Sequence, residues 1–378
     1  MDFTLSKEQE LIQKAAKEFA EKVIAPLAEQ IDRENKVPME IYEGIGELEL
    51  FGIPFDEEFG GNGAGYACYP LMLEQIAKAS SGVGMTMSVN GLGLSAINFF
   101  GTPEQKKKYM PDALTGKKFA SFAFTEPATG SDPKQITTTA VKDGDFYVIN
   151  GTKRFISAAE MDGPIVVFAK DDETGYPTAF IVEKNCPGYS ISEPWHKIGM
   201  RGGQLLDVYL KDVRVPAENM LGPKGQGYAV LQIGIAYGKV GVSSCCLAGM
   251  QRCLELCVKY AKEKAHRDKT IAKFSSVQAN IAKIAEKTEA ARWMTYRLGY
   301  LAENLKDPRQ FAYEAALTKT FVTEAAVDVS RIAMGVHGSY GLMEDYEISR
   351  IYRDLIIGEQ IEGVNDMQRM ITAHTLLS

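Results

Sequence analysis

The chain has 378 residues, more than one ordinary hydrophobic core organises, so two or three packed units are expected. Its 45% hydrophobic and 24% charged residues are those of a soluble globular protein. A net charge of -7 excludes a broad nucleic-acid surface, although a small polyanionic ligand would need only local cations.

The first hundred-odd residues carry a helical period. Ser6 with Gln9 forms a capping-box pattern, and Leu11, Ala15, Phe19, Val23 and Leu27 predict the apolar face of the opening helix. This opening has neither the apolar core nor the cleavage site of a signal peptide, and no window suggests a membrane span. A cytoplasmic protein without a membrane partner is expected. Pro38, Gly60, Gly61 and Pro103 punctuate the helices that follow, and Lys106, Lys107 and Lys108 read as a solvated face.

From about Phe119 the texture changes to short β-branched and aromatic runs, among them "DFYVIN", "KRFIS", "PIVVFA", "TAFIVE" and "LLDVYL". Asn150-Gly151 predicts a type I′ hairpin between two of them. After Tyr228 the helical period returns in long amphipathic segments with short loops, the pattern of an antiparallel bundle. The expected class is therefore α+β in the order helix, sheet, helix, with units at 1–118, 119–226 and 227–378.

Six cysteines form no CxxC pair and four histidines form no ligand cluster, so reduced, buried thiols and no metal are expected. No GxGxxG follows a strand, which leaves a Rossmann nucleotide site without a signal. Two stretches stand out. "FAFTEPATGSDP" puts hydroxyls and a tight reversal at a strand end, where sites commonly sit. In "GEQIEGVNDMQR", Glu362 follows an apolar run and should resist ionising. A general base beside a flat substrate is one reading. An ion pair to Arg350, Arg353 or Arg369 is the other, and these residues alone favour it.

"FTEPATGSD", "NGTKRFIS", "DVRVPAENMLGPKGQGY", "SRIYRD" and "QIEGVNDMQR", with "FGGNGAGY" upstream, resemble the motifs of the acyl-CoA dehydrogenases in order and spacing along the whole chain. The resemblance implies an N-terminal helical domain, a central β-barrel and a C-terminal four-helix bundle, with FAD between barrel and bundle. It implies α,β-dehydrogenation of an acyl-CoA, or the reverse reduction of an enoyl-CoA. An electron-transfer flavoprotein would be the redox partner, and a homotetramer or homodimer the assembly.

By residue-wise matching, Glu362 corresponds to the family's base, and Gly363 to the residue leaving room for the thioester. The base of some branches would stand at Gly238, which cannot ionise. Phe122, Phe124, Thr125, Gly130 and Ser131 correspond to residues lining flavin and pantetheine, with Ser131 also on the substrate side. Phe155, Ile156 and Ser157 correspond to the segment over the flavin face, with Phe155 in place of the usual Trp.

Other matched positions depart from the family. Its DxxR reads "AYGK", which sets Tyr237 and Lys239 at the substrate. Its RxQFG reads "KAHRD", so Lys264 replaces Arg and Arg267 replaces an adenine-packing Phe. Ser275 replaces Gln, QxxGG becomes Gly335 to Ser339, and Val364 and Asp366 stand for Thr and Gln. These positions serve the FAD pyrophosphate and adenine across a subunit interface in the family. Lys keeps the charge of Arg but loses its bidentate fork. Three readings remain open: an acyl-CoA enzyme with a rebuilt adenine site, an enzyme acting on acyl groups of a carrier protein, and a flavin-free binding protein on the same fold.

Overall fold

The computed structural model describes residues 4–377. Its N-terminal helices are α1 (Lys7–Phe19), α2 (Ala28–Glu34), α3 (Met39–Glu47), α4 (Tyr69–Ala79), α5 (Ser81–Phe100) and α6 (Pro103–Leu114). The Ser6 hydroxyl accepts from the Gln9 N–H at 3.2 Å and the Gln9 side chain accepts from the Ser6 N–H at 3.0 Å, the reciprocal cap the sequence predicts.

The apolar face of α1 is displaced by one position from the expected one. Ala16, Ala20 and Ile24 are buried, whereas Leu11 is 66% exposed and Val23 also faces solvent. Phe19 and Leu27 pack on the core only in part. The small alanines let the helix approach closely, so the bulkier side chains fall at the margin. Size was the wrong guide to the face.

The central unit is one eight-stranded sheet: β1 (Ser121–Ala123), β2 (Thr139–Asp143), β3 (Phe146–Ser157), β4 (Pro164–Asp171), β5 (Pro177–Glu183), β6 (Tyr189–Ile191), β7 (Leu205–Pro216) and β8 (Met220–Leu221). The order is β6-β7-β3-β2-β4-β5-β8, with β1 parallel to β4. The expected hairpin at Asn150-Gly151 is absent, because β3 runs straight through both residues. The turn lies earlier, at Gly144-Asp145, where Asp143 pairs with Phe146 and Gly144 has φ +60°. Asn150 instead marks a register irregularity between β3 and β7. Its side chain donates to Asp212 Oδ1 at 3.1 Å and accepts from the Asp212 N–H at 2.8 Å. Pairing along the long β7 strand overrides the local turn preference.

The C-terminal unit opens on α7 (Gly227–Glu263). A small hairpin, β9 (Ala265–His266) and β10 (Lys269–Thr270), leads to α8 (Ser275–Asn304), α9 (Pro308–His337), α10 (Glu347–Leu355) and α11 (Asn365–Leu377). Helix α7 is long and apolar enough to cross a bilayer, which the sequence reading had not recognised. However, 78% of its apolar window is buried in the protein, which makes it a core helix. The cysteines are all free, and all but Cys186 are fully buried.

The segment from Lys197 to Gly203 joins the three units. The Met200 N–H donates to Asp354 Oδ1 of α10 at 2.5 Å, and the Gly202 N–H donates to Asn35 Oδ1 after α2 at 3.0 Å. Arg353 donates to Ile198 O at 2.9 Å and forms an ion pair with Asp32 of α2 at 2.6 Å. Gly199 lies against the Arg353 carbonyl, where a side chain has no space.

Candidate active site

Glu362 lies in the loop between α10 and α11, in the left-handed region at φ +52°, followed by Gly363 at φ +84°. A non-glycine residue in that region is uncommon and needs support from its surroundings. Lys319, fully buried on α9, provides it. Its ammonium donates to Glu359 O at 3.2 Å, Gly363 O at 2.9 Å and Asn365 Oδ1 at 2.8 Å, using its three donors on the loop. Asn365 is further tied to Thr323, also on α9.

The Glu362 carboxylate comes to rest against Gly238 of α7. A Cβ on Gly238 would stand 2.7 Å from Glu362 Oε2 and 3.2 Å from Leu92 Cδ1. Burial pushes the Glu362 pKa up to about 7, with the Lys239 and Lys319 ammonium groups pulling the other way. Lys239 is itself buried, and loss of hydration takes its pKa down to about 8. The arginine pairing favoured by the bare residues is overturned. Arg350 pairs with Glu347, Arg353 with Asp32, and Arg369 with Glu324 and Asp366. Among the described residues the Glu362 N–H has no hydrogen-bond acceptor.

This geometry gives a first prediction. Gly238→Ala places a methyl group where the carboxylate lies, so any proton transfer through Glu362 should slow about tenfold or more. Stability should hold or rise, since alanine is favoured over glycine inside a helix by about 1 kcal/mol. Stopped-flow rates beside a thermal melt check both.

The strand-end residues form a second group adjoining the first. Phe122 on β1 touches α7 at Gly234, whose Cβ would be 3.1 Å from the ring, one turn before Gly238. Gly130 is open, the nearest atom to its Cβ position being Thr125 Cγ2 at 3.8 Å. Ser131 is exposed. The Thr125 carbonyl accepts from the Arg154 N–H at 2.8 Å, which sets this loop beside Phe155. Phe155 sits at φ +59° on a register shift of β3, is 50% exposed, and meets Trp195 edge to face at 5.5 Å. Ser157 is half-buried.

Two expected lining residues are buried among protein side chains: Phe124 against Phe168, which Phe122 also meets, and Ile156 in the sheet core. Beneath the loop, Glu126 is held by Lys153 at 2.8 Å with both side chains fully buried, and by the Thr137 and Thr138 N–H groups. Burial opposes ionisation of Glu126, but the lysine and these donors win and bring its pKa to about 2.

The remaining expected residues lie apart from the carboxylate or beside it without closing on it. Lys264 caps the far end of α7, about 39 Å beyond Gly238 at the helical rise of about 1.5 Å per residue. Its ammonium lies 4.4 Å from the Tyr340 ring centroid, next to exposed Ser339. Gly335 has open space around its Cβ position, Arg267 stands on the exposed β9–β10 turn at φ +56°, and Ser275 opens α8. Val364 is half-buried two residues after Glu362, and Asp366 is exposed and paired with Arg369. Among the described residues no group of acidic, histidine or cysteine side chains could hold a metal ion.

Sequence reading missed Lys319 and Leu92. Lys319 had a signal: it interrupts the apolar stripe of Phe311, Ala315, Val322 and Ala326 on α9, a place where lysine is rare unless partnered.

Three family models match consecutive stretches of the chain: acyl-CoA dehydrogenase N-terminal domain over 6–117, middle domain over 121–213 and C-terminal domain over 225–377. The chain belongs to the acyl-CoA dehydrogenase family. It is 36% identical to the acryloyl-CoA reductase (NADH) of Anaerotignum propionicum, covering 100% of this chain and 96% of the relative. Butyryl-CoA dehydrogenase from Megasphaera elsdenii superposes with a TM-score of 0.96 at 32% identity, covering 100% of both chains. A chain in the structure of the electron transferring flavoprotein of Acidaminococcus fermentans does so with a TM-score of 0.96 at 35% identity, again over 100% of both. As an acyl-CoA dehydrogenase this protein is an oxidoreductase acting on CH–CH bonds.

Proposed function

We propose that this acyl-CoA dehydrogenase interconverts an acyl-CoA and its 2-enoyl-CoA, with Glu362 exchanging the α-proton. The observation that carries the reading is a desolvated carboxylate with a pKa of about 7, seated on Gly238 and held there by Lys319. A base whose pKa lies near the working pH combines availability with proton affinity. The unengaged Glu362 N–H supplies a donor to the thioester carbonyl, which stabilises the enolate charge as the proton leaves.

The residues fit FAD. Phe155 presents an exposed aromatic face in a strained backbone position, next to the hydroxyl-bearing Thr125 loop with its open Gly130. Phe155, Ser157, Thr125 and Ser131 would hold the isoalloxazine end. When bound, the flavin supplies the acceptor, or in reverse the donor, of the β-hydride. Lys264, at the far end of α7, lies about 39 Å from Gly238 at about 1.5 Å per residue, too far to serve the same cofactor from the same chain. Arg267 and Ser275 follow it in sequence, and Gly335 and Ser339 lie near the Tyr340 ring that its ammonium meets. We assign them to the adenosine end of a neighbouring copy's FAD. Exposed Trp293, Leu317, Phe321, Met370 and Ile371 on α8, α9 and α11 offer the apolar surface for such an assembly, a homotetramer or homodimer. The relatives' names favour an electron-transfer flavoprotein as redox partner and leave either direction available.

The test is anaerobic mixing of the holoenzyme with butyryl-CoA while the flavin absorbance is followed. Bleaching is expected, and its kcat/KM should rise tenfold per pH unit below about 7 and level above it, because only ionised Glu362 accepts the proton. A flavin that never bleaches with any acyl thioester, or a flat profile from pH 5 to 8, sinks the reading.

A further inference from the structure

We propose that this enzyme is restricted to short acyl groups, with Tyr237 as the residue that ends the acyl pocket. This rests on the reaction proposed above. Tyr237 precedes Gly238 on α7, and Leu92 of α5 and the Glu362 carboxylate both stand against the Cβ position of Gly238. On this proposal an acyl chain with its α-carbon at Glu362 extends along α7 toward Leu92 and Tyr237.

Behind that pair the space is nearly gone. A cavity of about 10 Å³ remains, framed by Tyr66, Tyr69, Gly91, Leu92, Ser95 and Tyr237. That is about the least room that holds one water molecule. Gly91 leaves little additional room, since the Tyr69 hydroxyl stands 3.0 Å from its Cβ position. Gly93, the other glycine of this helix, packs on Ala120 and opens nothing.

Nor can Tyr237 swing aside easily. Its hydroxyl donates to Ala302 O at 3.0 Å, and its ring lies among Tyr66, Phe99 and Phe311 at centroid distances of 4.8, 4.4 and 4.7 Å. The end wall is also polar. Tyr66 and Ser95 share a hydrogen bond of 2.6 Å, and Ser95 donates to Gly91 O at 2.7 Å. A longer alkyl tail would meet paired hydroxyls there and would gain little from leaving water. Size and polarity act in the same direction.

The test is a ladder of propionyl-, butyryl-, hexanoyl- and octanoyl-CoA turned over by the holoenzyme. We expect kcat/KM to fall at least about 100-fold from butyryl to octanoyl, since misfit of a methylene or two is worth about 10- to 200-fold in such pockets. Tyr237→Ala should raise the octanoyl value at least tenfold relative to butyryl. Octanoyl turned over within tenfold of butyryl by the unaltered enzyme overturns the proposal. Calorimetric binding of the same two thioesters to Glu362→Gln holoenzyme judges the pocket without turnover. Equal affinities there overturn it as well, whereas absent bleaching with every thioester counts against the reaction and leaves the binding ratio to decide the pocket.

Discussion

Glu362→Gln should reduce the rate of flavin bleaching by butyryl-CoA about 10²- to 10⁴-fold, the range a positioned general base supplies. Glutamine keeps the shape and the backbone N–H, so thioester binding should survive, and the loss should appear in kcat more than in KM. Stability moves the other way. The fold raises the Glu362 pKa from 4.5 to about 7, so the uncharged form is favoured in the folded protein. Its stabilising contribution is fully present below pH 4.5 and is lost as pH rises through about 7. The neutral amide does not titrate, so the variant's melting temperature should gain on wild type between pH 6 and 8. Bleaching at the wild-type rate would remove Glu362 from the chemistry.

Lys319→Met should be the most damaging substitution away from the reacting atoms. It removes three donors at once and leaves the half-buried Gly363 carbonyl without its partner, whereas Glu359 O keeps the Asn365 N–H at 3.1 Å. An orphaned group costs about 1–3 kcal/mol when buried, so a loss of about that size is expected in a denaturant titration. The loop that holds Glu362 at positive φ loses its fastening, and flavin reduction should fall at least about 100-fold. Lys319→Arg should not restore it, because a forked guanidinium does not reproduce one ammonium among three converging oxygens. Asn365→Ala removes only one of the three contacts and should give an intermediate loss in both measurements. An Asn365 variant as slow as the lysine variant would mean that the loop is held by other means.

The order helix, sheet, helix was legible because each period persists over many residues, and the α1 cap was legible because its chemistry is local. Glu362 could be marked from its motif, while the choice between base and ion pair needed three dimensions to see where the arginines go. Residues whose role depends on distant partners were hidden. Lys319 acts on a loop some forty positions later, and Leu92 reaches Gly238 from another unit. Phe124 and Ile156 were matched by motif and are buried in the protein, while Phe155 beside Ile156 is 50% exposed. Asn150-Gly151 shows the converse, a strong local turn signal overruled by pairing with a long neighbouring strand.

The segment from Lys197 to Gly203 has one more implication. It departs from the sheet, yet its backbone amides end on side chains of α10 and of the turn after α2, and Arg353 spans the same junction. No region can loosen without stripping partners from the other two. Heating should therefore melt the protein in a single calorimetric transition, and limited proteolysis should release no self-standing helical or sheet fragment. A truncated version lacking either end would lose cooperativity before it lost secondary structure.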